Sequence, residues 1–201
     1  MARLSHHQIA EDNRILAQRI QHFRVAADVL VDAWSPLATV LRIALIGSVA
    51  QPLRKEVPRF APYRRAGIEL WHECKDLDLV LWLSALDELP RLNRLRGQSL
   101  TKLCQTDGIG VAHHQVDVFV FEPGSDRYLG RLCTYGTCPK GKPECYVPTC
   151  GDHAFLQQIE GFVLQPDALG SDRCVVLFDR LGGIRSKAND LPTAGADEGT
   201  V

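Results

Sequence analysis

The run Asp76-Leu77-Asp78-Leu79-Val80-Leu81-Trp82-Leu83 constrains this chain more than any other segment. Its apolar, branched character reads as a buried strand over 76–83. Side chains alternate along a strand, so Asp76 and Asp78 share one face while Leu77, Leu79, Leu81 and Leu83 share the other. Two like charges entering an apolar strand repel, and each loses hydration on partial burial. A bound cation removes both costs. Asp117 poses the same problem within Val116-Asp117-Val118-Phe119-Val120-Phe121, a third strand over 115–121 closed by the turn Glu122-Pro123-Gly124-Ser125. On adjacent strands, Asp76, Asp78 and Asp117 would form an oxygen-rich site suited to Mg²⁺ or Mn²⁺. The competing reading is a set of strand-end acids that cap turns or meet arginines.

A first strand, Val40-Leu41-Arg42-Ile43-Ala44-Leu45-Ile46, runs directly into Gly47-Ser48. Glycine lets a backbone approach a ligand closely. A helix over 49–57, stopped by Pro58 and Pro62, would offer free N–H groups beside the Ser48 hydroxyl for phosphate oxygens. Arg54, Lys55, Arg59, Arg64 and Arg65 face only Glu56 in the most basic stretch of the chain. It is either a solvated loop or a phosphate or nucleic-acid contact.

Residues 5–34 read as a long helix. Ser5 and Gln8 form an S-x-x-Q capping box, and Ile9, Leu16, Ile20, Phe23, Ala27, Leu30 and Trp34 make one apolar stripe ending before Pro36. A second helix over 84–106 carries Leu86, Leu89, Leu92, Leu100 and Leu103, with interruptions expected at Pro90 and Gly97. Residues 126–153 have no clear period. Two C-terminal strands are expected within 161–179, at 161–164 and 173–178. Residues 1–185 then form a single domain with core 40–122, and 186–201 a disordered tail. The fold class is α+β, a mixed sheet flanked by helices.

Cys133, Cys138, Cys145 and Cys150 lie within 18 residues, spaced x4, x6 and x4. Four thiolates suit structural tetrahedral Zn²⁺, with His153 able to replace one of them. An Fe–S cluster and free thiols remain alternatives. Cys74, Cys104 and Cys174 read as small core hydrophobes. His113 and His114 read as surface residues, although His113 shares a face with Asp117 if the strand begins early.

The ordered combination of Ile43-Ala44-Leu45-Ile46-Gly47-Ser48, Lys75-Asp76-Leu77-Asp78-Leu79 and Val116-Asp117-Val118 resembles the nucleotidyltransferase-fold superfamily. That superfamily includes DNA polymerase beta, antibiotic nucleotidyltransferases and minimal bacterial nucleotidyltransferases. The resemblance covers roughly residues 40–122. It implies that Gly47 and Ser48 hold a nucleoside triphosphate and that Asp76 and Asp78 bind metal. Asp117 would help bind one ion and assist deprotonation of an acceptor hydroxyl. One departure is the 27-residue separation of Ser48 from Asp76, where the family has about one short helix; the resemblance then implies that Arg54, Lys55 and Lys75 lie near the triphosphate as candidates for neutralising phosphate charge.

The resemblance implies an enzyme moving a nucleoside monophosphate to an acceptor hydroxyl on a small molecule, a protein or an RNA end. A non-catalytic scaffold with a zinc-stabilised partner-binding loop is the alternative. A net charge of −1 provides no bulk attraction to nucleic acid or membrane. With no apolar run long enough to span a bilayer and no signal-peptide pattern, a cytoplasmic location is expected.

Overall fold

The computed structural model describes residues 5–137, 150, 153–159, 161–170 and 172–193. It is a mixed α+β structure: a seven-stranded mixed sheet with helices packed on one face. Helix α1 (His6–Trp34) begins at the capping box, where Ser5 Oγ accepts from the Gln8 N–H at 3.2 Å. Its apolar stripe buries Ile20, Phe23, Ala27, Leu30 and Trp34, and Trp34 Nε1 donates to the Leu92 carbonyl at 3.1 Å. The first turns, with Ile9 and Leu16 only half-buried, extend beyond the core.

Strand β1 (Val40–Ile46) leads into a single 3-10 turn, Ser48–Ala50. The helix expected over 49–57 is absent, because Pro52 follows directly and Lys55–Glu56 is drawn into strand β2. β2 pairs with β3 (Leu70–Trp71), and the short helix α2 (Ala61–Ala66) lies between them. This small unit fills the long separation between Gly47-Ser48 and β4 (Leu77–Leu83).

Helix α3 (Leu89–Asp107) starts later than expected and is not interrupted. Pro90 sits in its first turn, where a missing N–H costs nothing. Gly97 lies inside it with no atom within 4 Å of a Cβ position. α3 is the crossover between β4 and β5 (Val116–Phe121), which are parallel neighbours. Strands β6 (Tyr128–Leu132), β7 (Leu156–Gln157), β8 (Val175–Asp179) and β9 (Gly183–Ile184) complete the order β7-β6-β5-β4-β1-β8-β9. Residues 161–164 are not a strand; Phe162 and Leu164 instead cover the sheet face away from the helices.

The alternation expected from sequence is realised across the sheet. Ile43, Leu45, Leu77, Leu79, Leu81, Val116, Val118 and Val120 meet α1 and α3. Ala44, Ile46, Val80, Trp82, Phe119 and Phe121 form the second apolar layer. Cys74 is buried in the helix-side core and Cys174 is half-buried in the second layer, whereas Cys104 is exposed on α3. Residues 186–193, expected in the disordered tail, pack against α1 instead: Asp28 accepts from the N–H groups of Ala188 at 2.7 Å and Asn189 at 3.0 Å. Residues 194–201 lie outside the described part. Among the described residues, no helix is long and apolar enough to cross a membrane.

Candidate functional site

Three neighbouring strands bring the sequence-predicted residues to one end of the sheet. Ile46 of β1 pairs with Asp78 of β4, and Asp78 pairs in turn with Asp117 of β5. Asp78 shares the face of Val80 and Trp82, and Asp117 that of Phe119 and Phe121, so both carboxylates point away from the helices. Asp76 is exposed, just before β4. Strand parity places Asp78 and Asp117 on this face; the strand expected from Asp76 begins only at Leu77, so parity does not fix Asp76.

Gly47 closes this row. Its φ of +73° belongs to the region that favours glycine, and a Cβ there would lie 2.4 Å from Asp78 Oδ2. The turn thus needs glycine for its backbone and for the space that the Asp78 carboxylate occupies. Ser48 is half-buried, and its side chain hydrogen-bonds with the Cys74 thiol.

Electrostatics marks Asp78 as the strained member. Burial raises its pKa to about 7, with the neighbouring charges of Asp117 and then Asp76 adding to the rise. Burial also raises Asp117, while Arg131 opposes the shift. Arg131 Nη1 lies 2.9 Å from Asp117 Oδ2, and its guanidinium stacks over Phe119 at 4.9 Å and Phe162 at 5.3 Å. Sequence reading missed this partner because the contact depends on the β5–β6 pairing.

The donor chemistry of Asp76, Asp78 and Asp117 fits a hard divalent cation, which would relieve the like-charge repulsion at Asp78. The geometry is less complete. Among the described residues, no group of three or more His, Cys, Asp or Glu side chains is disposed to hold a metal ion. Asp117, committed to Arg131, would have to release it to join the other two.

Asp117 also lines a cavity of about 390 Å³, together with Arg96, His113, His114, Arg131 and Thr134 among others. Arg96, on α3, is only 3% exposed. Its Nη1 donates to the carbonyls of Val116 at 3.2 Å and Leu132 at 3.5 Å, and its Nη2 donates to Asn93 Oδ1 at 2.7 Å. Burial lowers its pKa to about 10. His113, half-buried in the 3-10 turn His113–Gln115 rather than on the surface, is pushed down to about 4 by burial, with Arg96 and His114 adding to it. The sequence did carry a signal for Arg96: it interrupts the apolar stripe Leu89, Leu92, Leu100 and Leu103.

Arg54, Lys55 and Lys75 are all exposed. Lys55 Nζ sits 5.3 Å above the Trp71 ring, and Lys75 borders a groove of about 800 Å³ with Trp71, Phe60 and Tyr63. The basic stretch therefore builds a separate surface of the small β2–α2–β3 unit. Of the four clustered cysteines, Cys138 and Cys145 lie outside the described residues, while Cys133 and Cys150 are half-buried and free. The described residues contain no metal-binding cluster to support a zinc loop.

No protein-family model matches this chain, and neither a curated protein nor a solved structure matches it.

Proposed function

We propose that this chain is a divalent-metal-dependent nucleotidyltransferase with a nucleotidyltransferase-like fold. The observation that carries this reading is the row Ile46–Asp78–Asp117 with Gly47 seated against the Asp78 carboxylate. An apolar strand, a glycine turn and acids on two adjacent strands occur in the order and on the face that such an enzyme requires.

Asp76 and Asp78 would hold Mg²⁺ or Mn²⁺, joined by Asp117 once its carboxylate leaves Arg131. The ions would neutralise charge on the triphosphate. Gly47 leaves room for the Asp78 carboxylate beside the turn, and Ser48 can offer its hydroxyl by releasing Cys74. The acceptor oxygen forms a bond to the α-phosphorus while the bond to the β-phosphate oxygen breaks. Pyrophosphate leaves with that bonding pair, and the acceptor hydroxyl proton passes to Asp117. Arg131, freed from Asp117, can stabilise charge on the phosphates.

The test is binding of nucleoside triphosphate to the full chain with Mn²⁺, followed by transfer of an α-labelled nucleotide. Asp76→Asn/Asp78→Asn should abolish both while leaving the protein folded. A folded wild type that binds no nucleotide refutes the reading.

The Asp117–Arg131 ion pair favours a second reading, a non-catalytic scaffold of the same fold, because a paired acid is not available as a base. Labelled transfer by the wild type excludes it. The spacing of Cys133, Cys138, Cys145 and Cys150 remains the basis for a structural Zn²⁺, for which metal analysis of protein purified without added metal should find about one ion per chain.

A further inference from the structure

We propose that the cavity lined by Asp117 is an oxyanion site that holds a phosphate or carboxylate carried by the acceptor. Its assignment to the acceptor rests on the nucleotidyltransferase reading; the anion site itself rests on the cavity. Among the described residues, three buried side-chain polar atoms have no hydrogen-bond partner: Arg96 Nε, Arg131 Nε and Tyr128 Oη. Two belong to the arginines that line this cavity. The third belongs to Tyr128, whose ring packs on Phe119 and Phe162, the same two rings that carry the Arg131 guanidinium. Buried polar groups are nearly always satisfied, so a concentration of exceptions in one place points to a missing partner.

Charge points the same way. Arg96 and Arg131 contribute two cations, and Asp117 contributes one anion, paired to Arg131. Among the described residues Arg96 forms no ion pair; its partners are two carbonyls and an amide oxygen. Asp117 acts on Arg96 electrostatically but is paired to Arg131, so two guanidiniums share one carboxylate, and an oxyanion would supply the second negative charge. Thr134 Oγ1, 3.4 Å from His113 Nδ1, adds a hydroxyl to the wall. The volume suits a small molecule better than a polymer. An acceptor anchored here by its anionic group would present its hydroxyl toward Asp117, the group that takes the proton. The acceptor class is therefore a small hydroxyl compound bearing a phosphate or a carboxylate.

The experiment is a calorimetric titration of the full chain, without nucleotide or metal, with inorganic phosphate, glycerol phosphate and lactate in separate arms. At least one should bind saturably, one per chain, and shift the ring resonances of His113 and His114. The two organic probes separate a phosphate preference from a carboxylate preference. Arg96→Gln should weaken binding at least tenfold, and Arg96→Lys, which keeps the charge, by only a few-fold. The histidine shifts in the wild type keep the test decisive if the glutamine variant does not fold. No saturable binding, unmoved histidine resonances, or equal affinity in a folded Arg96→Gln variant overturns the proposal. Mn²⁺–nucleotide binding is measured in parallel. Its presence without anion binding overturns the oxyanion site alone, and anion binding without it overturns the nucleotidyltransferase reading alone.

Discussion

Two buried arginines flank the aspartates, and they are used differently. Arg24, on α1, is fully buried, and every nitrogen of its guanidinium has a partner. Nε donates to the Val49 carbonyl at 3.1 Å, Nη1 to Leu191 at 2.7 Å, and Nη2 to Gln51 at 3.0 Å and Pro192 at 3.2 Å. It ties the turn after Gly47-Ser48 to the C-terminal segment, and Leu53 donates to Thr193 beside it at 2.8 Å. Arg96, on the other flank, lines a cavity and has an unpartnered buried Nε. A saturated buried cation staples structure, whereas an unsaturated one in the wall of a cavity leaves donor capacity unused.

The largest expected effect concerns the group between the two flanks. The folded pKa of Asp78 is raised to about 7 from an unfolded value near 3.8. The folded state therefore binds more protons between those values, and the contribution of this group to stability falls as pH rises through that window. In the absence of divalent metal, Asp78→Asn should remove this loss, amounting to about 2–4 kcal/mol of relative stabilisation at pH 8. Chemical denaturation of both proteins at pH 4 and pH 8 measures it; a wild type with the same relative stability at both pH values would remove the strain assigned to Asp78.

Next comes the stapling flank. Arg24→Met should cost about 2–4 kcal/mol by orphaning buried carbonyls, with phosphate affinity at the Arg96 cavity unchanged. Equal effects of Arg24→Met and Arg96→Gln on phosphate affinity would erase the distinction between the two flanks. Gly47→Ala should cost about 1–3 kcal/mol, from its positive φ and the clash with Asp78, and a melting curve reads it directly. The smallest effect is Gly97→Ala, one residue from Arg96. It should stabilise α3 by about 0.5–1 kcal/mol and leave phosphate binding alone, separating helix stability from anion recognition.

Much of the central sheet was legible in the sequence, because local rules decide it. The Ser5–Gln8 box and the apolar stripe define α1, and apolar runs each broken by a single charge define β1, β4 and β5. Parity alone places Asp78 and Asp117 on the face away from the helices. The edge strands were not legible. β6 carries Gly130, with φ +149° and Leu156 and Gln157 where a Cβ would lie, so its pattern lacks the alternation that marks a strand. The short β7 exists only through pairing with the distant β6, and β9 only as the return arm of a tight hairpin with β8. Arg131 escaped notice for the same reason: its ion pair to Asp117 is a consequence of sheet order. Arg24 and Arg96 stand as charges inside apolar helical stripes, a pattern that by itself marks a buried cation.

Manganese binding to the full chain at pH 8, followed by the loss of free-ion paramagnetic resonance signal, tests the three-aspartate centre most directly. The wild type should take up the ion, more weakly at pH 6 as Asp78 protonates, and Asp76→Asn/Asp78→Asn should leave it free. A folded wild type that binds no manganese, or a double variant that binds it equally well, would contradict the account.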